Sequence, residues 1–334
     1  MTSPMHGPAG PAEQAPDVGL PPVLAAASGR VALARDSSAG AAAGALSGAR
    51  VLSSPATRTG RRLRDRRAGR NLPAAVAVGS GLGALVAVCL FVRKEAFVVL
   101  AAAAIVIAVW ELSNAFRARR IRIPVVPVVI GSVVMLVVAF LAGAEALLVA
   151  FALTAFLVLL WRVLDGPNPV RDVTAGVFTA AYVPFLAAFS LLLLAEPDGP
   201  YRVLAFLMVA IGSDVGGYAF GVVWGKHQLA PSVSPKKTWE GLAGSAVFAV
   251  VLGVAGVTVA LDGAWWAGAT LGLAIVATAT IGDLSESLLK RDLGIKDMGS
   301  LLPGHGGIMD RLDSLLPAAP VGYLLLTVLV PVAA

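Results

Sequence analysis

The stretch 124-PVVPVVIGSVVMLVVAFLAGAEALLVAFALTAFLVLL-160 decides the fold, because only one charged residue, Glu145, interrupts its two apolar runs. A run of about 20 apolar residues is long enough for a helix to cross the hydrocarbon core of a bilayer. Comparable runs recur along the 334 residues, of which 57% are hydrophobic and 14% charged. The helices of soluble proteins show a polar face, which these runs lack. The sequence therefore predicts an all-α polytopic integral membrane protein.

The apolar runs predict about nine transmembrane helices. They cover residues 72–92, 95–116, 124–142, 145–163, 173–195, 202–223, 241–261, 264–284 and 314–333. Short polar segments, such as 196-EPDGPYR-202, separate them. The only cysteine, Cys89, lies in the first run, which excludes a disulfide framework and a cysteine-based metal site.

The basic residues concentrate on one side of this topology. With the N-terminus in the cytoplasm, the 26 Lys and Arg residues all fall in cytoplasmic segments except Arg93, Lys94 and Arg202. This is the asymmetry of the positive-inside rule. The net charge of +6 therefore reflects membrane orientation, and we expect no nucleic-acid partner. We predict a multi-pass protein of the cell (plasma) membrane with its active site on the cytoplasmic side.

Residues 1–71 are predicted to form a disordered basic N-terminal extension. They are rich in Ala, Gly, Pro and Ser, show no sustained periodicity, and end in 61-RRLRDRRAGR-70 before the first apolar run. A segment of this composition does not bury enough apolar surface to fold alone. Its arginine cluster is either a topology signal or a site of attraction to anionic lipid headgroups.

Polar residues collect in one loop, 283-DLSESLLKRDLGIKDMGSLLPGHGGIMDRLDS-314. Asp283, Glu286, Ser287 and Lys290 follow an i, i+3, i+4, i+7 spacing, which predicts one face of a helix at the cytoplasmic end of the eighth span. A solvated loop with surface ion pairs is the alternative explanation.

The second half of this loop combines glycines with acids. In 303-PGHGG-307 the glycines allow the backbone to approach a ligand closely, and a helix start at Ile308 would complete an anion cradle. Asp310 and Asp313 lie beside this cradle. Hard oxygen ligands next to a bound phosphate favour Mg²⁺.

Two further segments indicate phosphate chemistry. Asp214, in 212-GSDVGGYAFG-221, lies inside an apolar span, where a charge costs at least ~2.5 kcal/mol and is a functional candidate by default. A structural aspartate bonded to Ser213 is the alternative. The run 234-SPKKTWEG-241 contributes Lys236 and Lys237, which either bind phosphate as point charges or act only as a topology signal.

These residues carry a resemblance to the phosphatidate cytidylyltransferase (CDP-diacylglycerol synthase) family. The family signature is present in full at Ser287, Lys290, Arg291, Lys296, Asp297, His305, Gly306, Gly307, Asp310, Arg311 and Asp313. Residues 234–241 and 213–218 also resemble family stretches, although Gly217 stands where the family has Ala. The resemblance is dense from about residue 205 to 320 and extends to the first five spans only in hydropathy. It divides the membrane region into N-terminal transmembrane helices, 72–200, and a catalytic transmembrane region, 201–334, with its signature loop at 283–314.

The resemblance implies a nucleotidyltransferase of phospholipid biosynthesis, with the reaction CTP + phosphatidate → CDP-diacylglycerol + pyrophosphate. CTP, phosphatidate and membrane lipids are the implied partners, Mg²⁺ is the implied cofactor, and a homodimer formed through the membrane spans is also implied. The catalytic residues would be Asp283, Lys290, Arg291, Asp310 and Asp313. The first choices as metal ligands are Asp283 and Asp310, followed by Asp313 and Asp214. Substrate binding would fall to Asp214, Lys236, Lys237, Ser287, Lys296, His305, Gly306, Gly307 and Arg311. His305 would either donate a hydrogen bond to phosphate or fix the loop.

Three rival classes fit the sequence less well. A transporter would explain Asp214, but the charges pool in one loop and no internal repeat is visible. A CDP-alcohol phosphotransferase would begin its signature with Asp-Gly, yet 165-DGPNPVRD-172 and 262-DGAWWAGA-269 lack the remainder. A scaffold without catalysis would not need the complete set of acids and bases.

Overall fold

Long apolar helices make up almost all of the computed structural model, which describes residues 72–164, 169–299, 301 and 306–332. The predicted extension 1–71 and His305 lie outside the described residues. The helices are α1 Leu72–Val92, α2 Lys94–Arg117, α3 Val125–Leu164, α4 Pro169–Ala180, α5 Leu186–Ala195, α6 Gly199–Trp224, α7 Trp239–Ala255, α8 Trp265–Leu293, α9 Met309–Leu312 and α10 Leu315–Leu329. Short π-helical turns, Ala181–Phe185 and Gly256–Ala260, continue α4 into α5 and extend α7.

The prediction of an all-α polytopic membrane protein is confirmed. Within the described residues, seven helical segments are long and apolar enough to cross a membrane. An α-helix satisfies its backbone hydrogen bonds internally, which a segment in lipid requires. The count of nine spans stays a prediction, since α3 is one of the seven segments and α1 contributes only the shorter stretch Gly79–Val92.

Helix α3 is a helical hairpin rather than a straight rod of 40 residues. Gly143 adopts φ 83° and ψ −168°, outside the helical region. A Cβ atom built on Gly131 would lie 2.3 Å from the side chain of Thr154. In a straight helix those two residues would be about 35 Å apart, at 1.5 Å per residue. The chain therefore folds back at Gly143, close to the boundary that the sequence predicts between the third and fourth spans.

Helices α6, α7 and α8 approach closely because glycines face one another along them. A Cβ atom at Gly216 of α6 would lie 2.6 Å from the carbonyl oxygen of Gly244 in α7. Between α7 and α8, a Cβ atom at Gly268 would lie 2.4 Å from the carbonyl oxygen of Gly253. Small residues at such positions let membrane helices pack backbone to backbone. This packing fixes the frame on which the polar residues of the catalytic region sit.

A small β-hairpin interrupts the helices between α6 and α7. Strand β1, Gln228–Ala230, pairs antiparallel with β2, Ser234–Thr238, with Gln228 opposite Thr238 and Ala230 opposite Ser234. The sequence itself predicts only a cytoplasmic loop between the sixth and seventh spans. The hairpin leads directly into α7, where the hydroxyl of Thr238 accepts a hydrogen bond from the N–H of Gly241 at 3.1 Å and so caps the helix.

The opposite end of the bundle is tied together by Arg202, near the start of α6. Its guanidinium donates to the carbonyl oxygens of Leu326 at 2.8 Å and Val330 at 2.7 Å, and it pairs with Asp198 at 2.6 Å. Leu326 lies in the last turn of α10, and Val330 is the residue that follows the helix. The start of α6 and the end of α10 thus lie at one end, and α6 runs about 39 Å, at 1.5 Å per residue, toward the other.

Candidate active site

A polar cleft of about 740 Å³ opens between α6, the β-hairpin, the start of α7, α8 and α9. Its ionisable lining residues are Asp214, Lys236, Lys237, Asp283, Lys290, Lys296, Asp297, Asp310, Arg311 and Asp313. Acids and bases from four separate segments thus meet in one cleft. The basic side chains could hold a ligand that carries several negative charges, and the carboxylates could accept a cation.

Lys237 and Asp283 face each other across the cleft. The Nζ atom of Lys237, on β2, lies 2.6 Å from a carboxylate oxygen of Asp283, on α8. Both side chains are partly exposed, at 26% and 33%. The hairpin therefore positions Lys237 to pair with Asp283, the first residue of the signature loop. Both groups remain accessible to a ligand.

Lys290 links two acids of the site. It follows Glu286 by one turn of α8, and its Nζ atom lies 3.6 Å from Glu286 and 3.0 Å from Asp310. Helix α8 continues past the predicted end of the eighth span to Leu293 and ends at Gly294 with φ 71°. The predicted helical face from Asp283 to Lys290 is therefore confirmed.

Asp310 is the most heavily bonded acid of the group. Besides Lys290, its carboxylate accepts from the backbone N–H of Met298 at 3.0 Å and of Gly307 at 3.0 Å. The N–H of Met309 donates instead to Glu111 of α2 at 2.9 Å. Two of the N–H groups that the predicted anion cradle would offer are thus bound to protein carboxylates, and the helix that starts there, α9, is a single turn.

Asp214 lies on the wall of the cleft and not in the packed interior. It is ten residues from the end of α6, about 15 Å along the helix at 1.5 Å per residue. Its side chain is exposed to the cleft, and the hydroxyl of Ser314 lies 3.4 Å from its carboxylate. Ser314 also donates its backbone N–H to Asp313 at 2.7 Å, so this serine connects the two acids.

The lysine-bearing hairpin is fixed from behind by Glu240. One of its carboxylate oxygens accepts from the N–H groups of Lys226 at 3.1 Å and His227 at 3.2 Å. The other lies 2.6 Å from the Nδ1 atom of His227. Lys236 and Lys237 are therefore presented to the cleft by a short, braced segment, and His227 belongs to that brace and not to the cleft lining.

Comparison with known proteins shows the family to which this sequence belongs. A model of the cytidylyltransferase family matches residues 73–329. The chain belongs to the cytidylyltransferase family. It is 42% identical over 280 residues to the phosphatidate cytidylyltransferase of Mycobacterium leprae, covering 79% of this chain and 90% of that protein. It is 40% identical over 290 residues to that of Mycobacterium bovis, covering 82% and 92%.

The cytidylyltransferase family model matches a longer part of the chain than the sequence motifs indicate. It includes the N-terminal helices, which we had linked to the family only by hydropathy, and it begins at residue 73. Gly217, the one departure from the expected pattern, has a local reason. A Cβ atom there would lie 2.4 Å from the hydroxyl oxygen of Ser245, which donates to the carbonyl oxygen of Ser213 at 2.7 Å.

Most of the signature residues line the cleft. Among the signature residues that the structure describes, three do not. These are Ser287, Arg291 and Gly307. Arg291 donates from Nε to the carbonyl oxygen of Val233 at 2.6 Å, and so ties the hairpin turn to α8. Gly307 packs against Glu111, which would lie 2.5 Å from a Cβ atom at that position.

Two buried acids in or against the signature loop were not among the predicted site residues. Glu286 is 0% exposed and Glu111 is 1% exposed. Glu286 belongs to the helical face that the sequence predicts, so its spacing from Lys290 could have identified it. Glu111 stands in an apolar span, as Asp214 does, and the rule that flags an intramembrane acid applies to it equally.

Proposed function

We propose that this protein is a CTP:phosphatidate cytidylyltransferase, a Mg²⁺-dependent enzyme that forms CDP-diacylglycerol and pyrophosphate. The observation that carries the proposal is the meeting of lysines from the hairpin and from α8 with aspartates from α6, α8 and the α9 region in one cleft. The names of its close relatives support the same reaction. We place the protein in the cell membrane with the cleft facing the cytoplasm, where CTP is available.

The chemistry is an exchange of one phosphate bond for another. An oxygen of the phosphatidate phosphate attacks the α-phosphorus of CTP, and the bond from that phosphorus to the β-phosphate oxygen breaks. The electron pair of that bond leaves with pyrophosphate. The attacking phosphate monoester has a second pKa of about 6 and is largely a dianion at neutral pH. The enzyme therefore needs little general-base help, and its main task is to bring two polyanions together.

The basic residues of the cleft perform that task. Lys236 and Lys237 approach from the hairpin, Lys290 from α8, and Lys296 and Arg311 from the signature loop. Each offers N–H donors to phosphate oxygens. Because Lys237 and Lys290 are already held by acids, their ammonium groups are positioned before the substrates arrive, which is the arrangement that stabilises developing charge.

The carboxylates of the cleft suit Mg²⁺. No group of three or more His, Cys, Asp or Glu side chains in the described parts of the chain is close enough to hold a metal ion unaided. Mg²⁺ is usually bound by one or two carboxylates together with substrate phosphate and water. We propose Asp283 and Asp313 as the main ligands, with Asp214 beside them. Asp310 is less free, because three protein donors already occupy it. The ion would neutralise charge on the reacting phosphates.

The lipid substrate would enter from the bilayer along α6 and α7. Gly217, Tyr218 and Gly221 on α6, and Leu242 and Ser245 on α7, line the cleft. Tyr218 is 71% exposed. A headgroup in the cleft could therefore keep its acyl chains in the membrane.

The test follows radioactive CTP into the lipid phase with one lipid at a time. Purified protein with Mg²⁺ should label the lipid when phosphatidate is present and release an equal amount of pyrophosphate. Phosphatidylglycerol, which has only a phosphodiester, and diacylglycerol, which has no phosphate, should stay unlabelled.

Each alternative gives a different result in this assay. Transfer of label from γ-labelled CTP to diacylglycerol, or equal use of ATP, would replace the proposal with a lipid-kinase-like activity. A transporter or a scaffold would release no pyrophosphate from CTP. Omission of Mg²⁺ with excess chelator should stop turnover, and full activity without any divalent ion would overturn the metal assignment.

A further inference from the structure

Glu111 of α2 reaches from the N-terminal helices into the signature loop. Its residue is 1% exposed, and one carboxylate oxygen, Oε2, accepts the backbone N–H of Met309 at 2.9 Å. That hydrogen bond joins residues 198 positions apart. Burying a carboxylate costs free energy unless hydrogen bonds or opposite charges compensate for it.

The same carboxylate rests on two glycines of the loop. A Cβ atom at Gly299 would lie 2.0 Å from Oε1 of Glu111, and one at Gly307 would lie 2.5 Å from Oε2. Neither glycine has a positive φ. Backbone conformation does not require glycine at these two positions, whereas the close approach of Glu111 does. The loop backbone therefore packs against this side chain in two segments, one at Gly299 and the other at Gly307.

Asp310 binds the backbone of the same two segments from the side of the cleft. It accepts the N–H of Met298, which precedes Gly299, and the N–H of Gly307. It also pairs with Lys290, which lines the cleft. A displacement of Glu111 therefore passes through the loop backbone to Asp310 and from there to Lys290.

We propose that Glu111 is a positioning residue, which fixes the base of the signature loop from the N-terminal helices and so sets the place of Asp310 and Lys290 in the cleft. It touches backbone and not substrate. The contact gives the N-terminal helices a part in the chemistry. The kinetic part of this inference rests on the proposed function, and the structural part does not.

The first experiment compares Glu111→Ala with Glu111→Gln. The alanine removes both the acceptor and the volume, whereas the glutamine retains an oxygen for the Met309 N–H. Because small misplacements of catalytic groups are expensive, we expect Glu111→Ala to lower kcat/KM for CTP by roughly 10- to 100-fold. Glu111→Gln should recover most of that loss. Glu145 is exposed, near the bend of α3, and Glu145→Ala is the matched control that should change nothing.

A second experiment reaches the same contact from the other side. Gly299→Ala should push the Glu111 carboxylate away and reproduce the kinetic defect of Glu111→Ala. In the double variant the carboxylate is absent and the added methyl group has room. The combined defect should therefore be smaller than the product of the two single defects, as for residues in direct contact. Independent, multiplying defects would overturn the proposal.

A third readout does not depend on turnover. A single cysteine at Leu301, which is 51% exposed, in a Cys89→Ala background reports how freely the loop opens to a thiol reagent. Glu111→Ala should raise its labelling rate and Glu111→Gln should not. An unchanged rate together with unchanged kinetics would refute the positioning role. If the unsubstituted protein does not use CTP at all, the proposed function fails while the labelling arm still decides whether Glu111 holds the loop.

Discussion

Two aspartates of the cleft accept hydrogen bonds from different numbers of protein donors. This difference predicts how substitution of each will change the Mg²⁺ dependence of turnover. Asp283 pairs with Lys237 and stays partly exposed. Asp310 accepts from Lys290, Met298 and Gly307. We therefore propose that the first binds the metal ion and that the second holds the loop.

Asp283→Asn and Asp310→Asn should both reduce turnover by about 100-fold, the upper end of the range for loss of a group that supports a metal site. Extra Mg²⁺ should partly restore Asp283→Asn, because a weakened ligand lowers metal affinity. It should not restore Asp310→Asn, whose amide would set a second donor against the backbone N–H groups. A Mg²⁺ titration of initial rates checks both. Asp262→Asn, an exposed acid with φ 49° that asparagine tolerates, is the matched control.

The opposite pattern would be informative. If Mg²⁺ restored Asp310→Asn and left Asp283→Asn inactive, Asp310 would be the ligand despite its three donors.

At the scale of secondary structure, the sequence predicts helices better than the contacts between them. The apolar runs place the helices, and the i, i+3, i+4, i+7 spacing correctly puts Asp283 and Lys290 on one face of α8. The β-hairpin was missed because its strands are three and five residues long, too short for a periodic signal. The Glu111–Met309 bond was missed because it joins distant segments, and one sequence carries no record of that pairing. The hydrogen bonds that distinguish Asp310 from Asp283 likewise depend on the three-dimensional structure, because their backbone donors come from other parts of the loop.

The hairpin in α3 supplies a prediction about packing between elements. Gly131→Val should destabilise the protein by about 1–3 kcal/mol, the usual cost of overpacking, because its Cβ atom would collide with Thr154. Gly83→Val is the control, since a Cβ atom at Gly83 meets nothing within 4 Å. Thermal unfolding of both variants in detergent gives the comparison. Equal midpoints would mean that the two arms of α3 do not pack at this point.

At the scale of the whole molecule, the two ends of the bundle have different chemistry. One end gathers Arg202, Leu326 and Val330 in a structural tie, and the other carries the cleft with its lysines and aspartates. Positively charged residues set the orientation of membrane helices toward the cytoplasm. The end that holds the cleft should therefore face the cytoplasm, which is also where a water-soluble nucleotide is found.

Cysteine labelling tests this orientation directly. Single cysteines at Leu301, beside the cleft, and at Ala195, at the end of α5, are placed in a Cys89→Ala background. Both positions are exposed, so access depends on the side of the membrane and not on burial. In intact cells a membrane-impermeant maleimide should label Ala195→Cys and spare Leu301→Cys, and inverted vesicles should give the reverse. Permeabilised membranes, in which both should react, control for reactivity. Labelling of both sites from one side would contradict the predicted topology, because α6 alone separates the loop after Ala195 from the cleft by a membrane-spanning length.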